Sequence, residues 1–410
     1  MFAPLRPVFF LLIALIPAAR SATAVLSWDS LPPLPPAAGR TVQPGVASPF
    51  VGVHRGALLV AGGANFPEKM PWDGGTKVWW DDIWVLENVA GPSPQWTRGA
   101  SFRLPRRQAY GISVSTADGV VCVGGNDADR CYADVFQLAW DPVAHAVRTM
   151  PMPALPQPLT NLAGALVGQT LFVAGGQHVT TGAVPVSVFW SLDLSQRARR
   201  ADFKWTRLPS WPGPARILPV AAAQGAPGHE QFYLFSGRTP QPGGATRLLT
   251  DAYAFDPRTG RWRTLANVGG GAGVSVMAGT AVAVGSDEIF VFGGDRGEQF
   301  IELEAHDLAV ERARGRLAAA GAADRAVLER EIEQHLAAKR TIYGHHPGFG
   351  REVLAYDTRR DTWRVVDRAP GSPQVTTLAV KVGESILIPS GEIRPGVRTP
   401  AVVRVTPGRN

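Results

Sequence analysis

The sequence predicts an all-β fold in which six repeated units close into a ring, and three observations carry that prediction. An apolar strand ending in a small-residue–Gly pair recurs six times, a second strand ending near an acidic residue follows each one, and the two ends of the chain complement each other. Composition agrees: 45 Gly, 35 Pro and 12 Trp with only 18% charged residues favour many strands and tight turns over helices. At 410 residues the chain can bury a large core, enough for one repeat fold or for two to three ordinary domains.

Taken in order, residues 1–24 read as an export signal. Arg6 precedes the apolar run Val8 to Ile16, and small residues including Ala22 and Ala24 follow. The run is too short for a stable membrane anchor. Cleavage after Ala22 or Ala24 would leave a periplasmic or secreted protein, and an uncleaved tether is the alternative.

The first strands of the units are Leu58–Gly63, Val120–Gly125, Leu171–Gly176, Phe232–Gly237, Ile289–Gly294 and Ile386–Gly391. The second strands begin at Asp82, Asp134, Val188, Asp251, Val353 and Ala401. Trp96, Trp205, Trp262 and Trp363 mark an outer strand, and the third unit is read as lacking one at the matching place. The sixth unit runs out of chain after Val405, yet Leu26-Ser27-Trp28-Asp29-Ser30-Leu31-Pro32 is similar to the segment from Trp363 to Pro370. The beginning of the chain therefore supplies the missing strand, and a closed ring leaves no open sheet edge.

These units resemble kelch repeats over nearly the whole of residues 25–410. The resemblance implies a six-bladed β-propeller of four-stranded blades, in which paired glycines let the backbone bend and pack closely near the central channel. One interval breaks the spacing. Residues 299–350 are rich in Ala, Glu and Arg, with Leu328, Ile332 and Leu336 at helical spacing, Asp324 placed to cap a helix start and Gly321 to end the preceding helix. A helical insertion in blade five, between its second and third strands, is expected; it is either a lid over the channel mouth or a solvated decoration.

The net charge of +7 favours anionic partners, but the basic residues are scattered and form no stripe suited to nucleic acid. An acidic small molecule is the better match. Cys122 and Cys131 do not make a zinc site, and a bridge between them is disfavoured because one lies in a strand and the other in or near the next loop.

The residues directly after the six pairs should converge on one end of the channel: Ala64 (with Asn65), Asn126, Gln177, Arg238, Asp295 and Glu392. Arg107 and Arg216 precede the expected inner strands and are candidates for the same mouth. Arginine suits a carboxylate ligand because its planar fork donates two parallel hydrogen bonds. Arg398 is the best placed, since the Pro395-Gly396 turn can fold it back toward Glu392.

The stretch Gly391-Glu392-Ile393-Arg394-Pro395-Gly396-Val397-Arg398-Thr399 resembles the active-site segment of bacterial N-acetylneuraminate epimerases, also called sialic acid mutarotases. Ala61–Phe66 and Arg107–Gly111 are similar to other segments of that family, but in an order that suggests a cyclically permuted relative. The resemblance implies a proton acceptor at Glu392 and a substrate-contacting arginine at Arg398, with Gln108 standing where an arginine is implied and Arg107 beside it. Arg107, Arg216, Arg238, Asn65 and Asn126 complete the expected substrate-binding set.

The expected function is interconversion of the anomers of N-acetylneuraminate or a related acidic sugar by acid–base ring opening, which requires no metal or organic cofactor. The alternative is a non-enzymatic propeller that binds a glycan or a protein at the same face. A copper oxidase on kelch blades is a weaker reading, because the His residues, including His345 and His346, offer no Tyr/His copper shell.

Overall fold

The computed structural model describes residues 26–408 apart from 38, 98–101, 181, 183, 200 and 242–243. The export signal read at 1–24 therefore lies outside the described residues. No helix among the described residues is long and apolar enough to cross a membrane.

Six four-stranded antiparallel sheets form the blades of a β-propeller. In blade five the strands run Thr280–Val284, Glu288–Phe292, Glu352–Asp357 and Thr362–Arg368 from the inside out. Blade six takes three strands from the C-terminal end and its outer strand from Leu26–Leu31, which pairs with Val402–Pro407 from Leu26↔Pro407 to Leu31↔Val402. The propeller is thus closed by hydrogen bonds between the two ends of the described chain.

Alternation along the strands sends side chains to both faces of each blade, so every blade meets two neighbours. Six hydrophobic clusters result, one per interface. The interface between blades three and four is the most aromatic, with Phe172, Phe189, Phe232 and Phe255 fully buried around Trp262. Cys122 is buried within the cluster of blades one and two, and both cysteines are free thiols.

The outer-strand tryptophans also tie blades together. The indole N–H of Trp96 donates to Pro32 O, Trp205 to Pro153 O, Trp262 to Pro209 O and Trp363 to Ala266 O, at 2.8 to 3.1 Å. In each pair the acceptor lies in the loop leaving the preceding blade. The outer strand without such a tryptophan is Ala146–Pro151 of the second blade; the third blade has Trp205, directly before Thr206–Arg207, so the expectation of a gap in the third unit is corrected.

The paired small residues are explained by close approach. A Cβ on Gly391, which has φ +107°, would lie 2.6 Å from Val375 O, and one on Gly294 would lie 2.5 Å from the Val276 backbone. Blades four and six place Ser236 and Ser390 first in the pair, also at positive φ. Their hydroxyls offset the strain by bonding across blades: Ser390 Oγ accepts from Val46 N at 2.8 Å and contacts Val46 O and Thr399 O.

The channel is lined by a second repeating device. Ser48, Tyr110, Asn161, Leu218, Ala278 and Thr376, one at the start of each inner strand, all have φ between 50° and 62°. Each donates its N–H to the carbonyl of its counterpart in the preceding blade, at 2.5 to 3.1 Å, and Ser48 donates to Thr376. The six bonds form a closed ring. Each left-handed residue costs about 1–2 kcal/mol, and the ring satisfies N–H groups that would otherwise be unpaired.

Two helices interrupt blade five between its second and third strands: α1, Glu298–Leu317, and α2, Ala322–His345. α1 ends at Leu317, so Gly321 does not end it but stands at the N-cap of α2, with Asp324 in the first turn where a carboxylate suits the helix dipole. The pair lies across the mouth. Thr246 in blade four donates its N–H to Glu304 Oε2 of α1 at 2.7 Å, and Trp72 of blade one stacks on Tyr343 of α2 at 4.8 Å.

Candidate active site

The residues that follow the six pairs occupy equivalent backbone positions. Ala64, Asn126, Gln177, Arg238 and Glu392 each exchange two hydrogen bonds with the residue just before a ring member, as in Val375↔Glu392, while Asp295 bridges Met277 through a single bond from its N–H to Met277 O at 2.9 Å. Around the mouth their side chains differ sharply in what they meet. Arg238, Asp295 and Glu392 line one cavity of about 520 Å³, roofed by α1 and α2 and floored by Leu218, Ala278 and Thr376 of the ring. That volume is within the range of small-molecule sites.

Glu392 is held by its own hairpin. Strands Glu392–Arg394 and Val397–Arg398 pair across the Pro395-Gly396 turn, where Gly396 has φ +80° as the second central residue of a type II turn requires. The register slips at Ile393, and Glu392 stands directly opposite Arg398. Glu392 Oε1 accepts from Gly396 N at 2.9 Å and lies 3.1 Å from Arg398 Nη1, while Oε2 accepts from the Thr376 hydroxyl at 3.3 Å. Its side chain keeps 15% exposure.

Arg398 is recessed beside it, with 3% of its side chain exposed and its guanidinium 4.9 Å above the Phe66 ring. Its approach to Glu392 is not aligned for a hydrogen bond, and among the described residues neither its Nε nor its Nη1 has a hydrogen-bond partner. Phe66 also faces Lys77, whose ammonium lies 5.1 to 5.9 Å from the rings of Phe66, Trp79 and Tyr110.

Arg238 reaches the cavity wall from blade four and stacks 4.7 Å over Phe300 of α1. Its Nε is buried without a partner. Burial pulls its pKa down, opposed by Glu304 and Asp295. Asp295 accepts from Gly297 N at 2.8 Å through Oδ1. Burial pushes its carboxyl pKa up, the Gly297 N–H and Arg238 pull it down, and Glu392 adds to the rise.

Arg398 stands behind Glu392 and is not itself among the residues lining the cavity, and four other expected contacts are likewise outside it. Arg216 is 0% exposed and locked onto Asp251 by two bonds of 2.7 and 2.9 Å, between Trp211 and Tyr253, so it braces blade four and does not face the mouth. Arg107 is exposed near Asp82 and is not among the cavity's lining residues. Asn65 is consumed by Gly45 O at 2.7 Å and Trp80 Nε1 at 2.8 Å. Asn126 is likewise consumed by Asp127 O and the Thr160 hydroxyl, both at 2.7 Å. Gln108 donates to Gly124 O and is buried.

The insertion contributes what sequence reasoning did not name: Phe300, Glu304, Asp307 and Tyr343 all line the cavity. Only the phases of α1 and α2 relative to the mouth reveal them, and no sequence signal gives those phases. Among the described residues no group of three or more His, Cys, Asp or Glu side chains could hold a metal ion.

Comparison with known proteins identifies the family. The family model for N-acetylneuraminate epimerase (NANM) matches residues 16–146 and 152–410. The chain is 26% identical over 247 residues to an N-acetylneuraminate epimerase of Haemophilus influenzae (strain 86-028NP), a match that covers 60% of this chain and 57% of that protein. One from Pasteurella multocida (strain Pm70) is 26% identical over 268 residues, 65% of this chain and 62% of that protein. One from Brucella melitensis is 35% identical over 134 residues, 29% and 32% respectively. The matches thus span less than two thirds of these relatives. The solved structure of YjhT superposes with a TM-score of 0.56 at 13% identity, covering 91% of this chain and 96% of that one, which speaks to the fold alone. On the family match across nearly its whole length, the chain belongs to the N-acetylneuraminate epimerase family.

Proposed function

We propose that the protein interconverts the anomers of N-acetylneuraminate or a related acidic sugar by acid–base ring opening. One observation carries this reading: a buried guanidinium with unpartnered N–H groups lies 3.1 Å from a carboxylate on the wall of a ligand-sized cavity. A buried N–H without an acceptor costs about 1–3 kcal/mol, which an incoming carboxylate would offset.

The anomeric carbon of such a sugar bears both a carboxylate and a hydroxyl. With the carboxylate on Arg398, the hydroxyl falls within reach of Glu392, the proton acceptor. Arg238 offers a second donor from the wall, and the apolar surface of Met277, Phe300, Leu303 and Phe349 suits the acetyl group. The leader read at 1–24 would put this activity outside the cytoplasm.

Anomer-resolved NMR of the protein with N-acetylneuraminate and with neutral sugars tests the proposal. Faster α-to-β exchange for the acidic sugar, lost in Glu392→Gln, is expected. Saturable binding without faster exchange would instead mark a glycan-binding propeller.

A further inference from the structure

We propose that Asp295 is the proton donor to the ring oxygen, acting in concert with Glu392; the assignment rests on the mutarotase reading above. Ring opening needs a group that gives a proton as well as one that takes it. The two carboxylates stand in adjacent blades at equivalent positions, one beside Met277 and the other beside Val375, and the ring bond from Thr376 N to Ala278 O at 2.8 Å joins the residues that follow. Both line the same cavity.

Their surroundings differ, and two carboxylates in unlike surroundings can divide acid and base work. Glu392 has Arg398, the Gly396 N–H and the Thr376 hydroxyl. Asp295 has the Gly297 N–H on Oδ1, and among the described residues its Oδ2 has no hydrogen-bond partner. The acidic groups that line the cavity with it are Glu392 from the hairpin and Glu304, Asp307 and Glu311 from α1, with the Tyr343 phenol from α2; Glu392 is paired with Arg398 and Asp307 with Lys339 of α2. Arg238 is the opposing cation, since neighbouring Arg296 is engaged with Glu352 at 2.9 Å and Ser275 O at 3.5 Å. Burial and, to a lesser degree, Glu392 raise the Asp295 pKa above its ordinary value against the pull of the Gly297 N–H and Arg238, so Asp295 holds its proton more readily than an exposed aspartate.

The step balances. Glu392 takes the proton of the anomeric hydroxyl, whose O–H electrons become the second bond of a ketone. The ring C–O bond breaks, its pair passes to the ring oxygen, and that oxygen takes the Asp295 proton. After the ketone turns its other face, the freed hydroxyl attacks the carbonyl carbon and returns its proton to Asp295. The carbonyl oxygen recovers the proton held by Glu392, and no oxidant or cofactor is consumed.

The test compares the wild-type protein with Asp295→Asn, following N-acetylneuraminate anomer exchange by NMR from acid to alkaline pH. The expected result is a fall in kcat of about 100-fold or more, KM within about threefold, and loss of the alkaline limb of the kcat/KM profile, with partial recovery in Asp295→Glu. Exchange within about twofold of wild type, or slower exchange with an unchanged pH profile, overturns the proposal. If Asp295→Asn melts early, Arg238→Met provides the second reading. Removing the cation that pulls Asp295 down should move the alkaline limb to higher pH, and a fixed limb overturns the assignment. A wild-type protein that does not accelerate exchange refutes the mutarotase reading itself, which is a separate outcome.

Discussion

Blades one to three and blades four to six present the same backbone to the mouth and opposite chemistry. In each, the residue after the small–Gly pair bridges the residue just before a ring member, by two hydrogen bonds in five blades and by one at Asp295. In the first half these residues are Ala64, Asn126 and Gln177, buried, with Asn126 Nδ2 and Gln177 Nε2 donating to local backbone carbonyls, although Gln177 Oε1 has no partner among the described residues. In the second half they are Arg238, Asp295 and Glu392, and all three line the cavity that the helices cover. The difference teaches that a repeat supplies equivalent positions, while the covered cavity selects which of them can meet a ligand.

Several substitutions can break or sharpen this contrast. Arg216→Met would break it furthest if Arg216 served the mouth. Because it is buried on Asp251, the variant is instead expected to lose about 3 kcal/mol of stability through the stranded carboxylate, read by denaturant unfolding, with KM unaltered at low temperature. Glu392→Gln should slow catalysed anomer exchange by about 100-fold or more, while Asn126→Ala in the other half should stay within about twofold of wild type. Arg238→Met should raise KM by about tenfold or more, the value of a charge-assisted hydrogen bond, with little change in melting temperature.

The lid gives a smaller effect. Trp72→Ala removes the stack on Tyr343 and should raise KM by about two- to tenfold and increase hydrogen exchange in α2. The smallest is a pH slope. Because the folded Asp295 pKa is raised, its contribution to stability is fully present below the ordinary Asp range and is lost as pH rises through the raised value. Asp295→Asn should flatten that part of the stability–pH curve, and an unchanged slope would return Asp295 to the inert half of the comparison.

The ring of blades was legible because its signals are local and repeated: glycines that must avoid a carbonyl, tryptophans that must reach a preceding loop, and an end segment with no partner of its own. Glu392 and Arg398 were legible together because a Pro-Gly turn fixes who faces whom across a short hairpin. Arg216, Asn65 and Asn126 were misread because a residue's place in a repeat says nothing about whether a nearby Asp251, Gly45 or Thr160 has already claimed its polar atoms. The helices' contribution was invisible for a geometric reason: an insertion's rotation about its own axis is set by distant contacts such as Thr246–Glu304 and Trp72–Tyr343.

Leu26–Leu31 completes the same blade that carries Glu392, and its partner strand is made more than 370 residues later. During synthesis the earliest folded piece must therefore wait, unpaired, for the last, and contacts of such long sequence separation form slowly. The carboxylate assigned to the chemistry stands in the final segment to be sealed. A chain lacking Val402–Pro407 would hold five complete blades and an unpaired Leu26–Leu31, so the blade that carries Glu392 is the last to be completed.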